Sequence, residues 1–294
     1  MAIDLAVVPV AGQGTRLLPS TKSQPKEMLP VGRKPVVQYI VEELAASGIR
    51  RLLFVTGPGK TSIENHFDIN PELIAYLRET GKEHLLAELD FERQGLDYFY
   101  TRQRQQLGLG HAVLCAGPLV GEQPFVVALG DSIIGLSVQS TIVRRLIEEF
   151  ERQRADAVIA FEDVARDEVV HYGIARPRDD SQPVFVLSDI IEKPAVAEAP
   201  SNLAVAARYV FAPGIFALLA QTPPGKGGEI QLTDAIRTLI KTGGKVLGLR
   251  LPTGERRFDI GNFESYFQAF CECALADPRH GPALREYIRR LLQD

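Results

Sequence analysis

The chain has 294 residues, of which 45% are hydrophobic and 24% are charged, a composition that is ordinary for a globular protein. Its length suits one large α/β domain or two small ones, and a net charge of −4 gives no bulk electrostatic reason to expect binding to nucleic acid or to a membrane surface. The three cysteines lack disulfide or metal-site spacing, and the apolar runs are strand-sized, so we expect a reduced, cytoplasmic protein.

The first predicted element is a strand over Leu5–Val10, an apolar run rich in β-branched residues. A small-residue turn, Ala11–Arg16, follows this strand, and then a loop that contains Lys26 and Glu27. The glycines let backbone N–H groups approach a ligand closely, and Arg16 and Lys26 add positive charge, so the segment suits a nucleoside triphosphate. Taken alone, the same residues also fit an ordinary glycine-containing connection.

Two common nucleotide-binding motifs do not fit this loop. A dinucleotide-binding fingerprint needs a third glycine where this chain has Leu17, and an acidic residue at the end of a second strand about 20 residues later. The next apolar strand, Arg51–Thr56, comes too late for that. A P-loop needs a glycine, four spacer residues and then Gly-Lys-Ser/Thr, a sequence that does not occur in the chain.

The rest of the chain predicts alternating strands and helices, followed by a change of rhythm. The alternation is typical of a parallel sheet, whereas the stretches from about residue 169 are joined by polar or proline-bearing loops that favour antiparallel pairing. The further predicted strands are Arg51–Thr56, Asp97–Thr101, Phe125–Leu129, Ala157–Glu162, Val169–Arg176, Val184–Ile191, Ala204–Phe211 and Lys245–Leu249. The predicted helices are Pro35–Ser47, Ser62–Phe67, Pro71–Gln94, Gly110–Ala116, Val138–Arg154, Pro213–Ala220, Ile230–Lys241, Asn262–Ala274 and Pro282–Leu292.

Two aspartates are candidate metal ligands. Asp131 follows the strand Phe125–Leu129 within LGDSII, and Asp259 lies within RRFDIGN late in the chain. Mg²⁺ prefers oxygen ligands and usually takes one or two carboxylates together with phosphates and water. A turn-forming aspartate is the alternative for either residue alone. Two such aspartates in a chain with a triphosphate-binding loop favour the metal site.

The motif AGQGTRLLP…PKEMLPV resembles the signature of the sugar-1-phosphate nucleotidylyltransferases, and most of all that of the bacterial UTP–glucose-1-phosphate uridylyltransferases. The blocks YGIAR, EKP, SNLAV and GGEIQLTDAI follow in the expected order. The resemblance implies an α/β fold with a Rossmann-like, mixed and mainly parallel sheet of the nucleotide-diphospho-sugar transferase (glycosyltransferase-A-like) type, to which an antiparallel sugar-binding portion is added. Because no linker is visible, we expect a single domain over 1–294, with a nucleotide-binding half at about 1–165, a sugar-binding half at about 166–262 and C-terminal helices at about 263–294.

The resemblance also implies roles for particular residues. Gln103 and Gly108 match the segment that reads the nucleobase, and Glu27 stands where thymidylyl enzymes of the wider fold typically have Gln. Lys193 matches the lysine that contacts the sugar phosphate and Glu192 the glutamate that holds a sugar hydroxyl, although EKP alone would be read as a solvated turn. The other implied contacts are Ala11, Gly12, Gly14 and Thr15 to the nucleotide, Arg16 and Lys26 to the triphosphate, Gly173 and Val205 to the sugar, and Asp131 and Asp259 to the metal.

Together these residues predict an enzyme that transfers a uridylyl group from UTP to α-D-glucose 1-phosphate, with Mg²⁺ as cofactor and with UDP-glucose and pyrophosphate as products. We expect no nucleic-acid or membrane partner, and the family implies a homodimer or homotetramer. Ser132 replaces an aspartate that is usual in the family, which leaves open another base, such as dTTP, or another sugar 1-phosphate. A non-catalytic regulatory homologue is the other alternative. The presence of Arg16, Lys26, Asp131, Lys193 and Asp259 argues against it, because such a protein would be expected to lose one of these charges.

Overall fold

A computed structural model describes residues 3–93, 95–135 and 140–293 of the chain. The described residues form strands, α-helices and short 3₁₀ turns. The strands are β1 (Leu5–Pro9), β2 (Pro30–Val31), β3 (Lys34–Pro35), β4 (Arg51–Thr56), β5 (Asp97–Arg102), β6 (Phe125–Ala128), β7 (Ser132–Ile134), β8 (Ala157–Asp163), β9 (Gly173–Pro177), β10 (Val184–Glu192), β11 (Leu203–Phe211), β12 (Val246–Arg250) and β13 (Arg257–Asp259). The helices are α1 (Val36–Ala46), α2 (Thr61–Phe67), α3 (Pro71–Glu79), α4 (Leu109–Val120), α5 (Ile142–Gln153), α6 (Ile215–Gln221), α7 (Leu232–Lys241), α8 (Phe263–Ala276) and α9 (Gly281–Leu291).

A mixed sheet runs through both halves of the chain. Nine of the described strands form it, in the order β5-β4-β1-β6-β11-β8-β12-β10-β9. The pairs β5–β4, β4–β1, β1–β6 and β8–β12 are parallel. Strand β11 is antiparallel to β6 and β8, and β10 is antiparallel to β12 and β9. The predicted fold class, a mixed sheet with an antiparallel portion from the later part of the chain, is confirmed.

Helices cover both faces of this sheet because its strands carry apolar side chains on both sides. In β1, Ala6 and Val8 point into the core that α1 and α5 cover. Leu5 and Val7 point the opposite way, into the core covered by α4, α6 and α7. The apolar run that predicts β1 therefore belongs to a strand that is buried on both faces.

The strand order reverses at β1, since β4 lies on one side of it and β6 on the other. In open α/β sheets, ligands bind outside the carboxyl ends of the strands at such a reversal. The loops after β1, β4, β5 and β6 begin near Ala11, Gly57, Gln103 and Asp131, and they emerge at one edge because these four strands are parallel. This edge carries the candidate site.

The predicted strand Val169–Arg176 is only partly correct. The structure has a 3₁₀ turn at Glu168–His171, and β9 starts at Gly173. Val169 is buried in a small core together with Ile174. Its apolar side chain therefore packs a turn and does not continue the alternation of a strand.

Two predicted helices are shorter in the structure. The helix expected over Pro71–Gln94 ends near Gly81, which has a φ of 68°, and the 3₁₀ segment Glu83–Arg93 follows it. The helix expected from Val138 begins at Ile142, and Val138 itself lies outside the described residues. Within the described ranges the longest helix, α8, has 14 residues, and no helix there is both long enough and apolar enough to cross a membrane.

A short antiparallel ladder between β7 and β13 was not predicted. Each strand has three residues, which is too few for a periodic signal. The ladder pairs Ser132 with Asp259. It therefore brings Asp131, which directly precedes β7, close to an aspartate from the end of β13.

Close packing of a glycine against an aromatic ring gives a first prediction. Gly248 in β12 lies opposite Phe185 in β10, and a Cβ at position 248 would overlap the Phe185 ring. We expect Gly248→Ala to lower the free energy of unfolding by about 1–3 kcal/mol, because the ring must move within a filled core.

The matched control is Gly214→Ala, whose Cβ would meet no atom within 4 Å. Its free energy of unfolding should change by less than about 0.5 kcal/mol. Chemical denaturation of both variants and the unmodified protein measures the difference, and equal stabilities of the two variants would contradict the packing argument.

Candidate active site

Two adjoining cavities open at the carboxyl edge of the sheet, and we call them the first and second chambers. Their volumes are about 650 and 550 Å³, and their common wall includes Arg16, Asp131 and Lys193. Every candidate site residue from the sequence lines one or both of them. The first chamber has Ala11, Gly12, Gly14, Thr15, Arg16, Lys26, Glu27, Gln103, Gly108, Asp131 and Lys193. The second chamber has Arg16, Asp131, Gly173, Glu192, Lys193, Val205 and Asp259.

The loop after β1 forms one wall of the first chamber and folds over Lys26. Gly14 has a left-handed φ of 68°, and its carbonyl accepts a hydrogen bond from Thr21 Oγ1 at 2.8 Å. A Cβ at Gly12 would lie 3.7 Å from Lys26 Nζ, so the loop backbone passes close to the ammonium group. Exposed backbone and a fixed cation are the groups that bind the phosphates of a nucleotide.

Lys26 and Asp131 form an ion pair between the two loops that meet at this edge. The Nζ of Lys26 lies 2.5 Å from Oδ2 of Asp131. Burial would raise the pKa of the Asp131 carboxyl, but the Lys26 ammonium outweighs it and holds that pKa below its usual range. Burial likewise disfavours the charged lysine, and Asp131 and Glu27 reverse this effect and raise the pKa of Lys26. Both groups of the pair are therefore charged at neutral pH.

Asp259 supplies a second carboxylate beside Asp131. The N–H of Ile260 donates a hydrogen bond to the Asp131 carbonyl at 2.9 Å, which fixes the two segments relative to each other. Burial raises the pKa of Asp259, and the negative charge of Asp131 raises it further. A cation between the two carboxylates would relieve this repulsion, and carboxylate oxygens are the ligands that Mg²⁺ prefers. The residues present therefore fit a divalent metal.

Lys60 lines neither chamber but supports two residues of the first one, and it was not among the residues predicted from the sequence. Its Nζ donates to Glu27 Oε2 at 2.8 Å and to the Gly12 carbonyl at 2.7 Å, and only 5% of Lys60 is exposed. The ion pair holds the Glu27 side chain beneath the loop, although burial still raises the pKa of its carboxyl. The available signal was the run Gly57–Lys60 directly after β4, because loops in this position reach the carboxyl edge.

Gln103 closes another side of the first chamber. Its Nε2 lies 3.0 Å from both the Gly108 carbonyl and His111 Nδ1, so the amide has a fixed orientation. Gly108 has a φ of 104°, and a Cβ there would come within 2.8 Å of the Ile230 carbonyl. The N–H of Ile230 donates to the Leu107 carbonyl at 2.7 Å. The candidate base-reading segment is thereby attached to the later part of the chain.

The register of β9 and β10 builds the second chamber, since it places Gly173 opposite Glu192. A Cβ at position 173 would lie 3.3 Å from Val205 Cγ2 and 3.4 Å from Glu192 Oε2, so the glycine lets the three predicted sugar contacts lie together. Thr233, which the sequence analysis did not single out, donates through Oγ1 to Glu192 Oε2 at 2.7 Å. An oriented carboxylate next to exposed backbone suits the hydroxyl groups of a sugar.

Lys193 lies where the chambers meet, with a backbone conformation that a non-glycine residue rarely adopts. Its φ is 45°, and its N–H donates to the Tyr172 carbonyl at 2.9 Å. The Nζ lies 3.4 Å from Glu192 Oε1, and 40% of the side chain remains exposed. Such strained residues cluster at functional sites, and an accessible ammonium on a fixed backbone suits a phosphate.

Arg257 is a second charged residue that the sequence analysis missed. Its Nε lies 2.6 Å from Glu162 Oε1, its Nη1 lies 3.8 Å from Asp259 Oδ2, and its guanidinium lies 4.3 Å from the ring centre of Tyr172. Burial disfavours this charge, but the two carboxylates outweigh it and raise the pKa of Arg257. The signal in the sequence was RRFD, which places arginine two residues before a candidate metal ligand.

The buried pair of Lys60 and Glu27 should stabilise the protein as a unit. We expect Lys60→Met to lower the free energy of unfolding by about 3–5 kcal/mol, because it removes the hydrogen-bonded cation of the buried Glu27 carboxylate. Adding Glu27→Gln should recover at least about 1 kcal/mol of that loss. Urea denaturation of both single variants and the double variant measures the coupling, and effects that add within about 0.5 kcal/mol would refute it.

Known proteins are similar to this chain in sequence and fold. A sequence profile of the family described as nucleotidyl transferase matches residues 5–275. The UTP–glucose-1-phosphate uridylyltransferase YngB of Bacillus subtilis is 42% identical over 98% of this chain and 95% of its own length. A solved "UTP-bound UGPase" of Acinetobacter baumannii is 39% identical, with a TM-score of 0.89 over 98% of this chain and 99% of that one.

A second solved relative is a UDP-glucose pyrophosphorylase complexed with UDP-glucose. It is 36% identical, with a TM-score of 0.81 over 91% of this chain and 97% of that one. The profile covers far more than half of the chain, and these relatives match it over nearly its whole length. This chain therefore belongs to the nucleotidyl transferase family.

Proposed function

We propose that this chain is a uridylyltransferase that converts UTP and α-D-glucose 1-phosphate to UDP-glucose and pyrophosphate. The observation that carries the proposal is the meeting of two chambers at Arg16, Asp131 and Lys193. A loop suited to phosphates lines one chamber, and polar groups suited to a sugar line the other, so the reacting groups would meet at the common wall. The names of the Bacillus relative and of the two solved relatives support the same reaction.

Each chamber takes one substrate in this proposal. UTP occupies the first chamber, and the sugar phosphate occupies the second with its phosphate directed toward Lys193. The proposed nucleotide contacts are Ala11, Gly12, Gly14, Thr15, Arg16, Lys26, Glu27, Gln103 and Gly108, and the proposed sugar contacts are Gly173, Glu192 and Val205.

The reaction is a direct displacement at phosphorus. An oxygen of the sugar phosphate forms a bond to the α-phosphorus of UTP, and the bond from that phosphorus to pyrophosphate breaks on the opposite side. No general base is required, since a phosphate with a second pKa near about 6 arrives mostly as a dianion. The difficulty is to hold two polyanions in line. Arg16 and Lys26 offset the charge of the triphosphate, and Lys193 offsets that of the attacking phosphate.

The two aspartates complete this arrangement. Asp131 and Asp259 would hold Mg²⁺, which when bound neutralises part of the negative charge on the reacting phosphates. Lys26 pairs with Asp131, and Arg257 lies beside Asp259, so each carboxylate keeps a cationic neighbour within the protein itself.

The proposed preference for UTP depends on the residues of the first chamber that would contact the base. Gln103 presents a fixed amide there. Its Nε2 already contacts the Gly108 carbonyl and His111 Nδ1, so its Oε1 is the atom that can accept a hydrogen bond from the edge of a pyrimidine. Ser132, the departure from the family pattern, lines the second chamber. Its position beside the sugar phosphate, away from Gln103, supports an unchanged base preference.

The continuous sheet supports a single nucleotidyltransferase domain, in which residues 1–165 and 166–262 are halves of one unit and 263–294 are added helices.

We further propose that the protein works in the cytoplasm. The three cysteines are free thiols, as expected for a protein of a reducing compartment.

Pyrophosphate release with glucose 1-phosphate and Mg²⁺, measured in parallel with UTP, dTTP, CTP, ATP and GTP, tests the function. We expect UTP to give the fastest turnover. Lys26→Ala and Asp131→Ala should each reduce the rate on the order of 10²–10³-fold, because each removes a charge beside the reacting phosphates.

A faster rate with another nucleotide would leave the mechanism in place and refute the base assignment. Binding of UTP without product from glucose, galactose or N-acetylglucosamine 1-phosphate would replace the proposal by a regulatory role. Lys22→Ala, an exposed lysine that lines neither chamber, is the control for loss of a nearby positive charge.

We also propose that the chain forms a homodimer or homotetramer. Helices α8 and α9 expose large apolar side chains, among them Phe267, Tyr287 and Leu291, which are more than half exposed, and such patches often mark protein interfaces. Light scattering should give two or four times the chain mass of 32.4 kDa, and Leu291→Asp should shift the population toward the monomer. A monomeric unmodified protein at micromolar concentration would exclude this proposal.

A further inference from the structure

Arg208 in β11 is fully buried, and the proposed reaction makes no use of it. Its Nε lies 3.1 and 3.2 Å from the two carboxylate oxygens of Glu43 in α1, and its Nη2 lies 2.6 Å from Glu43 Oε2. The pair therefore connects the central sheet to the helix that packs on it. Charged residues are almost never buried this completely unless they are paired.

The other hydrogen bonds of Arg208 lead toward the active site. Its Nη2 also donates to the carbonyl of Ser132 at 2.9 Å, and its Nη1 donates to the carbonyl of Ala207 at 3.0 Å. The Ala207 carbonyl accepts a further hydrogen bond, from the N–H of Leu129 at 3.1 Å. Residues 207 and 208 therefore hold both ends of the turn 129–132, which contains Asp131.

The backbone of β11 is distorted at this point. Ala207 has a left-handed φ of 57°, and the register of β11 against β8 shifts between Val205 and Tyr209. An L-residue in that conformation costs on the order of 1–2 kcal/mol, and such strain is found where the surrounding structure holds a functional group in place. This irregularity, a β-bulge at Ala207, directs the Ala207 carbonyl and the Arg208 guanidinium toward the turn 129–132.

A gain in folding stability is by itself a weak explanation for the buried ion pair of Arg208 and Glu43. A buried ion pair can often be replaced by apolar side chains of similar volume without loss of stability, because removing both charges from water is costly. The hydrogen bond to Ser132 gives the arginine a second task, which an apolar residue could not perform.

We propose that Arg208 is a positioning residue that holds the Asp131 carboxylate in place for the metal ion. The inference rests on the proposed function, in which Asp131 and Asp259 bind Mg²⁺. The Asp131 carbonyl is fixed by Ile260 N–H on one side, and the adjoining Ser132 carbonyl is fixed by Arg208 on the other. Without the second contact the turn keeps only its Leu129–Ala207 hydrogen bond to β11, and the end next to Asp131 loses its support, so the carboxylate is held less firmly relative to Asp259.

Arg208→Lys tests this role, because lysine keeps a positive charge for Glu43 but cannot bridge to Ser132 as the guanidinium does. We expect the Mg²⁺ concentration for half-maximal activity to rise about 10–100-fold, the loss typical when an outer support of a metal site is removed. The KM for glucose 1-phosphate should stay within about threefold, because no sugar contact changes. Mn²⁺ binding to the protein without nucleotide, followed by electron paramagnetic resonance, should weaken by a similar factor.

The matched control is Arg237→Lys. Arg237 pairs with Asp189 through Nε and Nη2 at 2.8 and 2.9 Å, and neither residue lines a chamber. This variant should leave both the half-maximal Mg²⁺ concentration and the Mn²⁺ affinity unchanged. Asp131→Asn, which removes a proposed metal ligand, shows how far the Mn²⁺ affinity falls when the site is lost. Unaltered Mn²⁺ affinity in a folded Arg208→Lys protein would overturn the proposal.

A second variant, Glu43→Gln, covers the case in which Arg208→Lys does not fold. It keeps the contact of Arg208 with Ser132, so it should be less stable but retain its Mn²⁺ affinity within about threefold. If Glu43→Gln lowers the Mn²⁺ affinity as much as Asp131→Asn does, the Arg208–Glu43 ion pair, and not the contact with Ser132, supports the metal site. That result would also overturn the proposal. If no nucleotide gives turnover, the proposed function fails, whereas the Mn²⁺ titration still reports on the position of Asp131.

Discussion

The contact between Lys26 and Asp131 is the interaction on which the site depends. It joins the loop after β1 to the turn after β6, the two strands that flank the reversal of strand order. The β7–β13 ladder fixes Asp259 to the same turn. The ion pair and the ladder together therefore connect residues from the start, the middle and the end of the chain. The central geometry of the site therefore depends on this ion pair together with the backbone ladder that holds Asp259 beside Asp131.

The charges of the site are arranged in pairs, and this has a physical reason. Two polyanionic substrates need several cations close together, but clustered cations repel one another in a folded chain. Carboxylates beside Lys26, Lys60 and Arg257 offset this repulsion within the protein. Lys193 keeps a more accessible ammonium on its strained backbone, which fits a group that contacts a substrate.

The sequence predicts most elements of the sheet and places the loops correctly, because buried parallel strands are long apolar runs that alternate with helices. The candidate site residues that line the two chambers come from motifs that resemble those of the family. Lys60 and Arg257 were missed because their partners, Glu27 and Glu162, are distant in the sequence. The β7–β13 ladder and the Ala207 bulge were missed for a related reason: three-residue strands and left-handed alanines depend on tertiary contacts and carry no local signal.

The place of β11 in the sheet affects how the chain can be synthesised. It lies between β6 and β8, although both precede it in the sequence. While the protein is being translated, these two strands leave the ribosome with unpaired edges, and open edges of this kind pair with other chains. The sheet that carries the loop after β1 can close only after residue 211 has emerged, so strands from the first 165 residues must wait for a strand from the later part of the chain.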